Sequence, residues 1–149
     1  MTDLAALAVG WAESLVLTAQ ANGVSLNRRW AKLAADAGVA HPESVRLYAV
    51  QGMPRPENVE LATNAARLGL LGRSVRGLTL GYAVIVLAVH QNNPRVLAHE
   101  FRHVYQYEQA GSLDGFLREY LRQLKAYGYW GCPLEADARE YEKLGLSSD

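Results

Sequence analysis

A five-residue pattern, His99-Glu100-Phe101-Arg102-His103, constrains the fold of this 149-residue chain more than any other feature. An α-helix turns about 100° per residue, so the two histidines would lie on one face of a helix, one turn apart, with Glu100 at the flank of that face. Two imidazoles placed in this way can bind one metal ion, and the glutamate can act as a base beside it. The pattern therefore predicts a helix that borders a cleft.

The residues around the motif predict where this helix begins, where it ends and how it is oriented. Asn93 can cap free backbone N–H groups, Pro94 suits the first helical position, and Gly111 follows Ala110 in the stop position. A stripe of apolar residues runs beside the histidines: Leu97, Phe101 and Val104. A chance occurrence of the motif on a solvated helix would have no reason to adjoin such a stripe. We therefore expect one side of the helix to face a core and the next side to face a cleft.

Composition and charge exclude several classes of protein. Half of the residues are hydrophobic, which suits one domain with a core of its own. Basic and acidic residues number 15 each, so no excess of positive charge indicates nucleic acid or an anionic membrane as a partner. Cys132 is the only cysteine, which excludes an intrachain disulfide and a cysteine-based zinc site.

The N-terminal stretch is apolar from Leu4 to Leu17, but it lacks a basic leader and contains Asp3 and Glu13. It is too interrupted for a signal peptide, so we expect a soluble, cytoplasmic protein without a transmembrane helix. Export by a route that does not use a Sec signal would leave no trace in the sequence.

The order of predicted elements favours an α+β fold in a single domain, residues 1–149. We expect a helical N-terminal segment over 1–40, strands and a backing helix over 44–90, the motif helix over 93–110, and a helical C-terminal part over 112–145. The sheet is expected to be small and mostly antiparallel, to pack against the motif helix, and to be flanked by helices at both ends.

Catalytic zinc normally has three protein ligands, so a third donor must come from elsewhere in the chain. A ligand spaced as in metzincins is excluded because Gln109 stands at its position. Glu135 lies far enough beyond His103 for one helix and a return loop, but it also fits an acid in the first turn of a helix. Three other acidic residues fit ordinary first-turn or solvated positions: Glu108, Asp114 and Glu119. From spacing alone, both interpretations of Glu135 stay open.

The sequence resembles a known group of proteins in two places. The run His-Glu-x-x-His-Val-x-Gln at 99–106, followed by an aromatic helix and by Pro-x-Glu-x-Asp-Ala at 133–138, resembles small bacterial gluzincin-like metallopeptidase domains, including the DUF4157 domains. The resemblance covers roughly residues 77–145. It implies a zincin-like fold with Zn²⁺ bound by His99, His103 and Glu135, and with Glu100 as the base.

The resemblance also has one departure. Larger gluzincins often place an aspartate four residues after the third ligand to orient a histidine, and Arg139 stands there in this chain. Gln106 or Asp137 is expected to take that role instead. Further tyrosines and a histidine are candidate donors to the transition state: Tyr129 and Tyr141, and also Tyr127 and His90.

A substrate strand pairs with a sheet edge beside the motif helix in zincins. The resemblance therefore implies that Ala83–Leu87, with Val84, Ile85 and Val86, supplies this edge. The alternative is that these apolar residues form a central core strand.

Together, the motif and the resemblance predict a zinc-dependent hydrolase of peptide bonds that acts on a peptide or protein substrate. The alternative is a catalytically weak or inactive zincin-like module, in which a structural zinc supports binding or assembly. A third possibility is that the motif is incidental and no metal binds.

Overall fold

The computed structural model describes residues 3–70 and 75–146, which form α-helices around a small sheet. The beginning of the predicted 1–40 segment, a short part of the 44–90 segment and the end of the chain lie outside these residues. The elements are α1 (Leu4–Asn22), β1 (Val24–Ser25), α2 (Arg28–Asp36), β2 (Arg46–Val50), α3 (Val59–Arg67), β3 (Gly77–Leu80), β4 (Ala83–Leu87), α4 (Pro94–Ala110), α5 (Leu113–Gly131), α6 (Pro133–Tyr141) and a 3₁₀ segment (Glu142–Leu146). The α+β prediction is confirmed.

The sheet is mixed, with the strand order β1-β2-β4-β3. β1 pairs with β2, and β3 with β4, in antiparallel fashion, whereas β2 and β4 are parallel. A tight turn at Gly81, with φ of 65°, joins β3 to β4 and lets them pair as a hairpin. The predicted antiparallel character therefore holds for two of the three pairings.

Both faces of the sheet are covered. Val84 and Val86 of β4 point into a core shared with α2 and α4, while Ala83 and Ile85 point to the opposite face and pack with residues of α1. Successive strand residues alternate between faces, so an unbroken apolar run is what a strand buried on both sides requires. The motif helix α4 thus lies on one side of the sheet and α1 on the other.

The prediction that Val84, Ile85 and Val86 form a sheet edge is wrong. β4 pairs with β2 on one side and with β3 on the other, and these three residues are at most 1% exposed. Their apolar character reflects burial in an inner strand, as in the alternative interpretation. β3 stands at the end of the strand order and provides the edge on the side of α4.

Within the described ranges, α1 is the one helix whose length and mean hydropathy of 1.4 would allow it to cross a membrane. A core helix of a soluble protein and an N-terminal signal sequence pass the same test. In this fold α1 contacts all three longer strands of the sheet and also α3 and α5, and Ala12 and Ala19 are buried there.

Candidate metal centre

The motif helix α4 begins and ends at the residues predicted for it. The Asn93 side chain accepts hydrogen bonds from the backbone N–H groups of Arg95 and Val96, and Pro94 opens the helix. Gly111 ends it in the left-handed conformation, with φ of 86°. The predicted stripe is fully buried: Leu97, Phe101 and Val104. Anchored in this way, α4 directs His99 and His103 away from the core and toward α6.

The structure brings the side chains of His99, His103 and Glu135 close together. Nε2 of His99 lies 3.0 Å from Oε1 of Glu135, and Nε2 of His103 lies 3.2 Å from Oε2. One donor atom from each residue can be chosen so that all lie within 4.8 Å of one another. These residues form a group with the composition of a metal site, which we call the His-His-Glu cluster.

Glu135 reaches the histidines because α6 starts immediately before it. Pro133 occupies the first helical turn, and Cys132 at the N-cap supplies no side-chain cap. Instead, Oε1 of Gln123 on α5 accepts the backbone N–H of Leu134. α6 packs against both α4 and α5. The first-turn position of Glu135 is therefore real, but its side chain is buried against the histidines instead of facing solvent.

Gln106 determines which nitrogen of His103 carries a proton. Nε2 of Gln106 donates to the carbonyl oxygen of Leu134 and to Asp137, each at 2.9 Å, so its Oε1 faces Nδ1 of His103 at 2.7 Å. An oxygen acceptor there requires the proton on Nδ1, which leaves Nε2 of neutral His103 with a free lone pair that could bind a metal. Gln106 thus contacts the histidine directly, while Asp137 lies one hydrogen bond farther away.

His99 is oriented by a residue that sequence reasoning missed. Nδ1 of His99 lies 2.9 Å from Oε2 of Glu142, in the 3₁₀ segment that follows α6. Like Gln106 at His103, this carboxylate places a proton on Nδ1 and directs Nε2 toward Glu135. The available signal was the seven-residue spacing from Glu135 to Glu142, about two helical turns, which puts both on one face.

Glu100 is held beside the cluster by β3. The hydroxyl of Thr79 donates to Oε1 of Glu100 at 2.8 Å, and the carboxylate is buried. Gly77 leaves room for it: a Cβ atom at position 77 would lie 2.9 Å from both Cγ and Cδ of Glu100. β3 therefore fixes the Glu100 carboxylate in two ways: Thr79 donates a hydrogen bond to it, and Gly77 has no side chain that would displace it.

If the cluster binds a metal and Glu100 acts as its base, as the motif predicts, Gly77→Ala should reduce turnover of a peptide substrate without releasing the metal. The added methyl group forces the Glu100 carboxylate to move, and a displacement of about 1 Å in a catalytic group can cost on the order of 100-fold in rate. Steady-state kinetics and metal content would be measured together, with Gly52→Ala as the control because a Cβ atom there meets nothing within 4 Å. Equal turnover of the Gly77→Ala variant and the parent would show that the position of Glu100 is not critical.

The charges of the cluster compensate one another. Burial opposes a charge on His103, but the Glu135 carboxylate outweighs this effect and raises the pKa of His103 to about 9. Burial likewise acts to lower the pKa of His99, but the hydrogen bond with Glu135 and the charge of Glu100 overcome it, so the pKa of His99 is also raised. Burial acts to raise the pKa of Glu135, but the two imidazoles hold it far below its usual range.

These pKa values predict that metal uptake at neutral pH releases protons. Below a pH of about 9, the imidazole of His103 in the metal-free protein carries a proton on both nitrogens, and it must lose one of them to bind a metal. Metal affinity should therefore fall as the pH drops from about 9. At pH 7 we expect about one to two protons per metal ion. Calorimetric titration with Zn²⁺ in buffers of different ionisation enthalpy measures this number. No net proton release at pH 7 would contradict the assignment of His103 as a ligand.

The cluster lies in the wall of a cavity of about 560 Å³, whose other lining is largely apolar and comes from α1, α3, β3 and α5. Tyr120 and Tyr129 line it, and the Tyr120 hydroxyl donates to Oε2 of Glu135. Tyr120 belongs to the aromatic helix that follows the motif, and its ring stacks on Phe116. An aromatic residue in such a position is typical of a packed helix face, so the sequence carried no sign of its polar contact.

Of the predicted donors, only Tyr129 lines the cavity. Gly128, with φ of 73°, interrupts α5 just before it. The Tyr141 ring instead stacks on the Arg102 guanidinium at 3.8 Å. Tyr127 is exposed, and His90 lies near Asn93 at the start of α4. Tyr141 therefore lies outside the cavity lining, with its ring packed on Arg102, and its role as a donor stays a prediction.

No family model, no curated protein and no solved structure matches the chain. The chemistry of this site is therefore argued from its own residues.

Proposed function

We propose that this protein is a zinc-dependent hydrolase of peptide bonds, with His99, His103 and Glu135 as metal ligands and Glu100 as the general base. The observation that carries the proposal is the convergence of two Nε2 atoms and one carboxylate in the wall of a cavity that the Glu100 side chain also lines. A small sheet packed against the motif helix supports a zincin-like fold.

The donor set fits zinc in number and in spacing. Two imidazoles and one carboxylate are a known ligand set of catalytic zinc, which leaves a fourth position for water or substrate. Two ligand atoms of a tetrahedral site with bonds of about 2.0–2.1 Å lie roughly 3.3 Å apart. Oε1 of Glu135 lies 3.0 Å from Nε2 of His99, and Oε2 lies 3.2 Å from Nε2 of His103, so each carboxylate oxygen is near that value for one histidine. With one donor atom per residue, all separations are within 4.8 Å. Both histidines already present Nε2, because Gln106 and Glu142 hold their Nδ1 atoms.

A zinc ion in this position would acidify a water molecule and polarise the substrate carbonyl group. Glu100 takes the proton of the attacking water and passes it to the leaving amine. Thr79 keeps the Glu100 carboxylate in place during both transfers, since its hydroxyl donates to Oε1. Burial, followed by the charges of Glu135 and Glu100, raises the pKa of Tyr129, so its phenol stays protonated and can donate a hydrogen bond to the developing oxyanion.

The substrate backbone is proposed to pair with β3. Residues Gly77–Leu80 line the cavity, and β3 stands at the end of the strand order. An extended peptide that adds to this edge would run past the carboxylate of Glu100, which Thr79 of the same strand holds. This assignment replaces the one made for β4.

The alternative is a structural zinc in a binding or assembly module. Such sites usually supply folding energy, and their domains unfold without metal. Structural zinc sites are usually closed by four protein ligands, whereas the His-His-Glu cluster offers three donor residues, and all three line the cavity. A site with one position open to the cavity favours a catalytic metal over a structural one.

Metal analysis together with a peptide-library assay tests the proposal. We expect about one Zn²⁺ per chain, cleavage that a chelator stops, and a metal-free protein that stays folded, with a melting temperature lowered only by the loss of zinc binding to the folded state. Stoichiometric zinc with chelator-sensitive folding and no cleavage would support the structural module instead. A protein that binds no zinc would exclude both.

A further inference from the structure

Arg102, one of the two unspecified positions inside the motif, is connected to the His-His-Glu cluster through two other side chains. Its Nε donates to Oδ2 of Asp137 at 2.8 Å. The same oxygen of Asp137 accepts a hydrogen bond from Gln106, whose Oε1 faces Nδ1 of His103. A continuous path of hydrogen bonds thus runs from Arg102 to His103, although the two side chains leave the helix in different directions.

The Arg102 guanidinium is itself held on all sides. It lies between the rings of Tyr105 and Tyr141, at 3.8 Å from each, and it donates to the carbonyl oxygen of Ala37 at 2.9 Å. A Cβ atom at Gly38 would lie 2.9 Å from its terminal nitrogen, so the chain after α2 closes tightly against it. Its side chain is only 13% exposed. A group this restricted can fix the position of its partner.

The orientation of the Gln106 amide depends on its two acceptors. The carbonyl oxygen of Leu134 and the carboxylate of Asp137 together hold its NH₂ group away from His103. If Asp137 were free to move, the amide could rotate and present its NH₂ group to Nδ1. Neutral His103 would then carry its proton on Nε2, where it blocks the metal.

We propose that Arg102 is a positioning residue for the metal ligand His103, acting through Asp137 and Gln106. It ties α6 to α4 and to the end of α2, and so keeps Nε2 of His103 available as a ligand atom. The inference rests on the proposed metal site but not on hydrolytic activity.

A double-mutant cycle with Zn²⁺ tests this role. Gln106→Ala should weaken zinc binding by about 10- to 100-fold, and Arg102→Met should weaken it by about 10-fold. Losses of this size are typical when a residue that hydrogen-bonds a metal ligand is removed. Because Arg102 acts through Gln106, the double variant should bind no more weakly than Gln106→Ala alone. Affinities would be measured by competition with a chromophoric chelator. Parental affinity of Arg102→Met, or additive losses in the double variant, would overturn the proposal.

Arg46→Met is the matched control, because Arg46 also donates to backbone carbonyl groups, those of Glu43 and Val45, but lies outside this path. It should bind zinc as the parent does. If Arg102→Met does not fold, the same cycle is run with Asp137→Ala, whose side chain is partly exposed. Additive losses in that cycle would also overturn the path.

A second measurement separates failure of this inference from failure of the metal site. In the metal-free protein, the proton on Nδ1 of His103 should give a slowly exchanging downfield NMR signal because Gln106 accepts it. Arg102→Met should speed its exchange. If the exchange rate of this signal is the same in Arg102→Met and in the parent, the proposal is overturned even if zinc binds. If the parent binds no zinc, the metal site is refuted, but the exchange rate still tests whether Arg102 acts on His103.

Discussion

Glu100→Gln should abolish peptide hydrolysis while the protein keeps its metal. Glutamine has nearly the shape of glutamate and can still accept the Thr79 hydroxyl, but it cannot take a proton from water. Loss of a general base typically costs about 10²–10⁴-fold in rate. Turnover of a peptide substrate and zinc content would be measured on the same samples, and zinc content should match that of the parent.

Glu108→Gln is a suitable control for this variant. Glu108 lies on the same helix, but its carboxylate accepts the backbone N–H groups of Ala40 and His41, and it does not line the cavity. Its variant should retain turnover. Equal cleavage by Glu100→Gln and by the parent would show that another group activates the nucleophile, and the proposed mechanism would have to be abandoned.

Glu135→Gln should lose metal binding, which is the second large effect. The substitution removes the negative charge that faces both histidines, at 3.0 and 3.2 Å from their Nε2 atoms. Removal of one protein ligand should cost more than the roughly 10- to 100-fold typical of outer contacts. Metal analysis and chelator competition give the affinity, and Glu140→Gln serves as the control because Glu140 is an exposed residue of the same helix.

The same variant carries a second signature that needs no metal. Glu135 raises the pKa of His103 to about 9 against the opposing effect of burial. In Glu135→Gln this negative charge is gone, so the effect of burial, which favours the neutral imidazole, is less strongly counteracted. The pKa of His103 should therefore fall. An NMR titration of the metal-free proteins checks this shift. If Glu135→Gln binds zinc as tightly as the parent while the pKa falls, then Glu135 neighbours His103 without being a ligand.

Local sequence predicted where the motif helix begins and about where it ends, because its signals act over a few positions. Asn93 and Pro94 begin α4 and Gly111 ends it, as expected from N–H capping and from the freedom of glycine at positive φ. The i, i+4 spacing placed both histidines on one face. The stripe of Leu97, Phe101 and Val104 correctly indicated the buried side.

The partners of that helix could not be assigned with the same accuracy. β4 was expected at a sheet edge and is an inner strand, because strand order depends on pairing between distant segments that no local pattern encodes. Tyr141 was expected near the metal and packs on Arg102. Glu142 and Tyr120 were missed, since each makes its contact only when α5 and α6 fold back onto α4.

For this protein, the sequence alone determined the helix that carries the motif, its ends and its buried face. It also determined the positions of two imidazoles and one carboxylate along that helix, because helix periodicity and capping are short-range effects. For Glu135, spacing left a first-turn acid and a metal ligand as equal interpretations. Only the tertiary structure decided that this carboxylate is buried between the histidines, that Gln106 and Glu142 orient them, and that Thr79 and Gly77 hold Glu100. The physical reason is that a metal centre is closed by residues from separate elements, whose approach depends on the packing of the whole domain.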